Sequence, residues 1–200
     1  MTQIQCAQAE PGALRTAGRK ANPQVALSLA AETWSQGEKI EMSALAEKLG
    51  VTRVTLFRWV GNHDQLLAEV LWTQWDLMWQ ASLLAAKGKG PAYIADVCRR
   101  VMSGILRSHG MSSFIANDPE YALRMLTSKN SSVQSRVIDS VRLLLEDEIS
   151  RGHLDPPLEV DALAYAMVRI VESFLYSDQI AGRTPDPDVP SQVITLLLRP

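Results

Sequence analysis

Apolar residues recur at helical spacing along almost the whole chain after residue 20. The breaks between these segments fall at Gly, Pro, Asn and Ser clusters, and no convincing strand is found. The first segment starts at Pro23, a residue suited to a first helical turn, and runs through Val25, Leu27, Leu29, Ala30 and Trp34 to Gly37. Residues 43–66, SALAEKLGVTRVTLFRWVGNHDQL, then predict two short helices joined at Gly50-Val51-Thr52, with another helix following at once. Leu45, Ala46, Leu49, Val51 and Leu56 give the two short helices one shared apolar contact. Ala46 is small enough for close crossing, Gly50 can take positive φ at the turn, and Thr52 caps the second helix. This is a helix-turn-helix pattern; the plain alternative is a helical hairpin without a reading function.

Asn62 is a good cap for a long fourth helix that carries Leu66, Leu67, Val70, Leu71, Trp75, Met78 and Trp79 and ends before Gly88. Pro91 opens a fifth, with Ile94, Val97, Val101, Ile105 and Leu106, which stops near Gly110. Residues 119–128 form a short sixth, 131–151 a seventh closed by Gly152, and about 158–181 an eighth; a ninth follows Pro185 to Pro190. The stretch TPDPDVP is short enough to be a loop, and there is no internal repeat. The expected fold is therefore all-α: a tail over 1–20, a three-helix helix-turn-helix domain over 21–66, and a second helical domain over 67–200.

With 200 residues and 46% hydrophobic content the chain can bury a sizeable core. The net charge of -2 is unevenly spread, with seven basic and five acidic residues up to Gly61 against thirteen basic and seventeen acidic beyond it. A mildly basic head on an acidic body fits a nucleic-acid-reading domain attached to something that does not touch phosphate. Arg15, Arg19 and Lys20 make the tail either a phosphate-contacting arm or a solvated leader. Cys6 and Cys98 give neither a disulfide framework nor a zinc spacing, so a reducing cytosol is expected, and neither export nor a membrane span is predicted.

The string LAEKLGVTRVTLFRWVGNHDQLL resembles the N-terminal domain of TetR-family transcriptional regulators, and the longer RWVGNHDQLLAEVLW is similar to a subgroup typified by regulators of quorum-quenching lactonase genes. The resemblance implies that Thr52, Arg53, Val54 and Thr55 face the DNA major groove. Arg53 is then a guanine reader or a phosphate contact, and Val54 an apolar surface for a thymine methyl. Phe57, Trp59 and His63 stand where the family usually has a phosphate-bonding Tyr, often a His and often a Lys, which weakens those contacts. Arg58 either compensates or is a solvated group.

The second domain is rich in large adaptable side chains: Trp72, Trp75, Met78, Trp79, Tyr93, Met102, Met111, Phe114, Tyr121, Met125, Tyr165 and Met167. They are either core or the walls of an apolar ligand cavity. His109, Arg169 and Glu172 are polar candidates for fixing a ligand, and Tyr165, Arg169, Glu172 and Tyr176 share one helical face, which is a pocket wall, a subunit seam or a solvated ion pair. The resemblance further implies a homodimer in which the last two helices pair with their copies, burying Phe174, Val189, Val193, Leu196 and Leu197, and reading a palindromic double-stranded operator.

The function expected is a cytoplasmic, ligand-responsive repressor released by a small apolar or amphiphilic effector, a lactone or acyl compound being the first guess. No cofactor and no metal is expected. The alternatives are a DNA-binding dimer without a ligand, or an enzyme acting on the bound molecule; the second has no support in the spacing of His63, His109 and His153 or in either Cys.

Overall fold

Asn22 starts the first helix: its side-chain Oδ1 accepts the Val25 N–H at 3.0 Å while Pro23 occupies the first turn, where a missing N–H costs nothing. The computed structural model describes residues 20–128, 132–177 and 180–199, and every regular element among them is helical. In chain order these are α1 (Pro23–Ser35), α2 (Met42–Lys48), α3 (Arg53–Val60), α4 (His63–Ala85), α5 (Gly90–Arg107), α6 (His109–Asn117), α7 (Pro119–Thr127), α8 (Ser132–Ser150), α9 (Val160–Glu172) and α10 (Asp188–Leu197). The expected tail with Cys6, Arg15 and Arg19 lies outside the described residues.

In the head, α1 packs across α2 and α3, and Ala26, Ala30, Trp34, Leu45, Ala46 and Leu56 are buried between them. Fully burying a leucine such as Leu56 contributes roughly 1.5–3 kcal/mol. The turn runs as the residues predict: Gly50 sits at φ 65°, with the Val51 N–H returning to the Ala46 carbonyl at 3.0 Å, and Thr52 Oγ1 accepts the Thr55 N–H at 3.1 Å.

One residue separates α3 from the cap of α4. Asn62 and Gln65 form a reciprocal capping box, each side chain accepting the other's backbone N–H at 2.9 Å. Helix α4 then continues for 23 residues into the body, where it packs on α5 and α8. Arg136 of α8 bonds Glu69 at 2.8 Å and lays its guanidinium over the Trp72 ring at 4.1 Å. Helix α10 packs on α5, burying Pro190, Ile194 and Leu198.

Two boundaries differ from expectation. The fifth helix ends at Arg107 rather than near Gly110, because Ser108 turns the chain and its Oγ accepts the Met111 N–H at 3.3 Å, capping a separate α6 over His109–Asn117. Gly110 lies inside that helix and lets it touch the head. A Cβ there would sit 2.5 Å from the Trp34 carbonyl oxygen and 2.6 Å from its ring. The eighth predicted helix stops as an α-helix at Glu172, and Ser173–Ser177 widen into a π turn, so the i, i+4 pattern read through to Ala181 loses its register.

The α6 contact yields a stability prediction. Gly110→Ala gains roughly 1 kcal/mol of helix propensity but overpacks against backbone and indole, at a cost of about 1–3 kcal/mol. Overpacking wins, and thermal denaturation should give a Tm several degrees below wild type; an unchanged or higher Tm would mean that α6 and Trp34 separate freely.

Candidate DNA-reading surface and ligand cavity

Helix α3 buries Leu56 completely and leaves its opposite face bare. Arg53 and Arg58 are exposed, and so are two apolar side chains that no described residue covers, Val54 at 71% and Phe57 at 58%. Thr52 is exposed and Thr55 half-buried; their hydroxyls lie 3.0 Å apart. Trp59 is half-buried and turns toward the core beside Val60 and Leu27.

His63, the first residue of α4, is engaged at the domain junction. Tyr121 of α7 donates its hydroxyl to Asp64 Oδ1 at 2.6 Å, and His63 Nδ1 lies 3.2 Å from the same hydroxyl. That hydrogen bond, helped by His63 and Arg124, holds Asp64 below the usual carboxylate range against a smaller opposing effect of burial. Burial, followed by the Asp64 carboxylate, pushes the Tyr121 phenol up. Phe114 meets the Tyr121 ring edge-on at 5.9 Å, and the Arg124 guanidinium sits 5.2 Å from the ring centre. Both aromatics line an interdomain cleft with Trp34, Met42 and Arg53, away from the interior of the body.

The body interior holds a narrow cavity of about 60 Å³, walled by α4 to α9 and the π turn. Of the side chains proposed to bind a ligand, Trp75, Met78, Trp79 and Glu172 meet there, with the two indoles stacked at 5.5 Å and 18°. The others lie elsewhere. Met102 is fully buried outside this wall, Met125 lines a groove toward α1, His109 reaches over Gly37, and Tyr165 and Arg169 face outward. The shared face of Tyr165, Arg169, Glu172 and Tyr176 is thus divided: Glu172 and Tyr176 line the cavity and the first two do not.

Sequence reading missed Gln134, Val137 and Val141, an i, i+3, i+7 stripe on α8 that could have been found by its period, and Val171 on α9, whereas Met111 and Met167, named among the adaptable side chains, do stand in this wall. Among the described residues Glu172 is the one acidic wall residue. It accepts from Gln134 Nε2 at 3.2 and 3.4 Å and from Arg169 at 2.7 Å, and burial raises its carboxyl above the usual range despite both contacts. Burial also pushes the Cys98 thiol up to about 12, so this wall residue is an inert thiol at neutral pH.

On α10, Val189, Val193 and Leu196 form an exposed i, i+4, i+7 stripe opposite the buried face, whereas Leu197 and Phe174 are half-buried against the chain's own core. Among the described residues there is no cluster of His, Cys, Asp and Glu suited to a metal, and no helix is long and apolar enough to cross a membrane.

A helix-turn-helix head joined through one long helix to a helical body with an internal apolar cavity is the architecture of one-component transcriptional regulators. Residues 89–199 match the family described as tetracyclin repressor-like, C-terminal domain, which covers more than half of the chain. The transcriptional repressor QsdR of R. erythropolis, from the TetR family, is similar at 31% identity over 88% of this chain and 93% of that one, with a TM-score of 0.80. The chain belongs to the TetR family of transcriptional regulators, which are normally not enzymes. Two further structures share the fold: the repressor AlkX of Dietzia sp. strain DQ12-45-1b (18% identity, TM-score 0.59, 90% and 96% of the two chains) and FadR of Bacillus subtilis in complex with stearoyl-CoA (13%, 0.57, 88% and 96%). Comparison with curated protein sequences returned no match.

The junction carries a pH prediction. Because folding lowers the Asp64 pKa, its contribution to stability is complete above the unfolded carboxylate value and is lost as pH falls through the lower folded one. In Tyr121→Phe the main cause of the depression is gone. NMR titration of the Asp64 carboxyl should show its midpoint rising, and an unchanged midpoint would mean that the hydroxyl is not its partner in solution.

Proposed function

We propose that this chain is a homodimeric, ligand-responsive repressor of the cytoplasm, bound to a palindromic double-stranded operator when empty and released when a small apolar or amphiphilic molecule enters the body. The observation that carries this reading is the continuity of α4, which begins at the Asn62 cap with only Gly61 between it and α3 and supplies Leu71, Trp75, Met78 and Trp79 to the cavity wall. At about 1.5 Å per residue it spans roughly 35 Å.

In this reading Thr52, Arg53, Val54 and Thr55 face the major groove, with Arg53 on a guanine edge and Val54 and Phe57 giving apolar contact, while Arg58 and the tail hold phosphates. Trp59 and His63 contribute less, since one leans inward and the other is held at Tyr121. The exposed α10 stripe pairs with its copy, so that two reading helices lie about one helical turn, ~34 Å, apart.

The cavity accounts for the switch. About 60 Å³ is far less than the ~300 Å³ or more of a formed ligand pocket. A ligand therefore enters only if the walls part, and flexible Met78, Met111 and Met167 are suited to that. Met111 is followed back along α6 by Gly110, which touches Trp34 of the head, so parting the walls shifts the head as well. A ligand that binds the parted state more tightly draws the population away from the operator-matching one. Acyl compounds and lactones are the first effectors to try. The same narrowness favours the second reading, a DNA-binding dimer that takes no ligand, which holds if no small molecule alters operator binding.

Two measurements test the proposal. Fluorescence anisotropy with the DNA upstream of the chain's own gene should give specific binding that Arg53→Ala weakens by about 1–3 kcal/mol at the guanine-containing site. Binding insensitive to the mutation would remove α3 as the reader. Leu196→Glu, on the exposed α10 stripe, should yield monomers by sedimentation and abolish operator binding; an intact dimer would place the seam elsewhere.

A further inference from the structure

The cavity wall has an uneven chemistry. Among the described residues it contains no Lys, Arg or His, and one carboxylate, Glu172. Arg169 neutralises Glu172 from the outer side at 2.7 Å, and Gln134 shares its amide between the two oxygens. A carboxylate offers about four acceptor positions, so Glu172 retains room for one more donor. Trp75, stacked in the same wall, buries an indole Nε1 that has no hydrogen-bond partner among the described residues. An unmatched buried donor costs roughly 1–3 kcal/mol, which a bound acceptor would recover.

We propose that the cavity selects neutral amphiphiles: molecules with an apolar body and one uncharged head that accepts the Trp75 indole N–H and donates to Glu172, and that it rejects free carboxylates and phosphates. This rests on the sensor reading above. An anionic head would enter a low-dielectric space with no cation to pair it and with Glu172 already there, so two carboxylates would compete for one environment. A cationic head is not required, because Arg169 already supplies the positive partner. The neutral head satisfies both open valences without burying a charge.

The test uses the full chain and four ten-carbon probes, decan-1-ol, decanamide, decanoate and decylamine, titrated by calorimetry at pH 8. Decanamide and decan-1-ol should bind, with decanoate weaker by about ten-fold or more. Glu172→Gln should bring decanoate to within about three-fold of decanamide, and Trp75→Phe should weaken decanamide by about five-fold or more. If decanoate binds wild type as tightly as the neutral probes, or decylamine binds best, the selectivity is wrong and the sensor reading stands. If decanamide is indifferent to Trp75→Phe in a variant with an unaltered circular dichroism spectrum, the proposed donor is wrong. If none of the four binds, the sensor reading falls with the inference.

Discussion

The capping box at Asn62 is the constraint on which the rest depends. Helix α3 ends at Val60, and only Gly61 separates it from a cap whose two reciprocal hydrogen bonds fix where α4 begins and in which direction it leaves. A helix end that must satisfy its own N–H groups cannot slide along the sequence. The orientation of α3 is thereby tied to the axis of α4, and that axis runs on into the cavity wall. A flexible linker at residues 61–62 would have left head and body independent.

Contacts away from the cap decide how that axis is held. On one side Gly110 brings α6 against Trp34 so closely that a methyl group would not fit, and on another Tyr121 donates to Asp64 in the first turn of α4. Farther along, Arg136 grips Glu69 and Trp72. These are short-range, geometry-dependent interactions of the kind that have discrete alternatives, unlike the diffuse packing of the leucine core. A body with a narrow cavity, three methionines and a stacked indole pair in its wall has side chains that repack more readily than branched ones.

The parts of this architecture that were legible in the sequence are those written in local chemistry. Thr52 and Asn62 are caps that need no distant partner, Gly50 announces a turn, and Trp75 and Trp79 fall on one side of a helix by spacing alone. What stayed hidden was set by tertiary contact. Gly110 reads as a helix stop, yet it lies inside α6 because Trp34 requires the space. Met102 and Met111 look alike along the chain, yet one is core and the other faces the cavity, a difference decided by which neighbour each helix turns toward. Tyr165, Arg169, Glu172 and Tyr176 share a face by period, yet it divides between Arg169 and Glu172, where the packing of α9 on its neighbours changes from open surface to cavity wall.

The central claim is that occupying the cavity moves the reading heads. It is tested most directly by pulsed electron-electron spin resonance between the two subunits, with a nitroxide on Glu47→Cys, an exposed position of α2, and Cys6 replaced by serine. The account predicts one narrow distance distribution for the empty dimer, unchanged by operator DNA, and a displaced distribution when a ligand shown by calorimetry to bind is added. A distribution that stays the same with the cavity filled would contradict it.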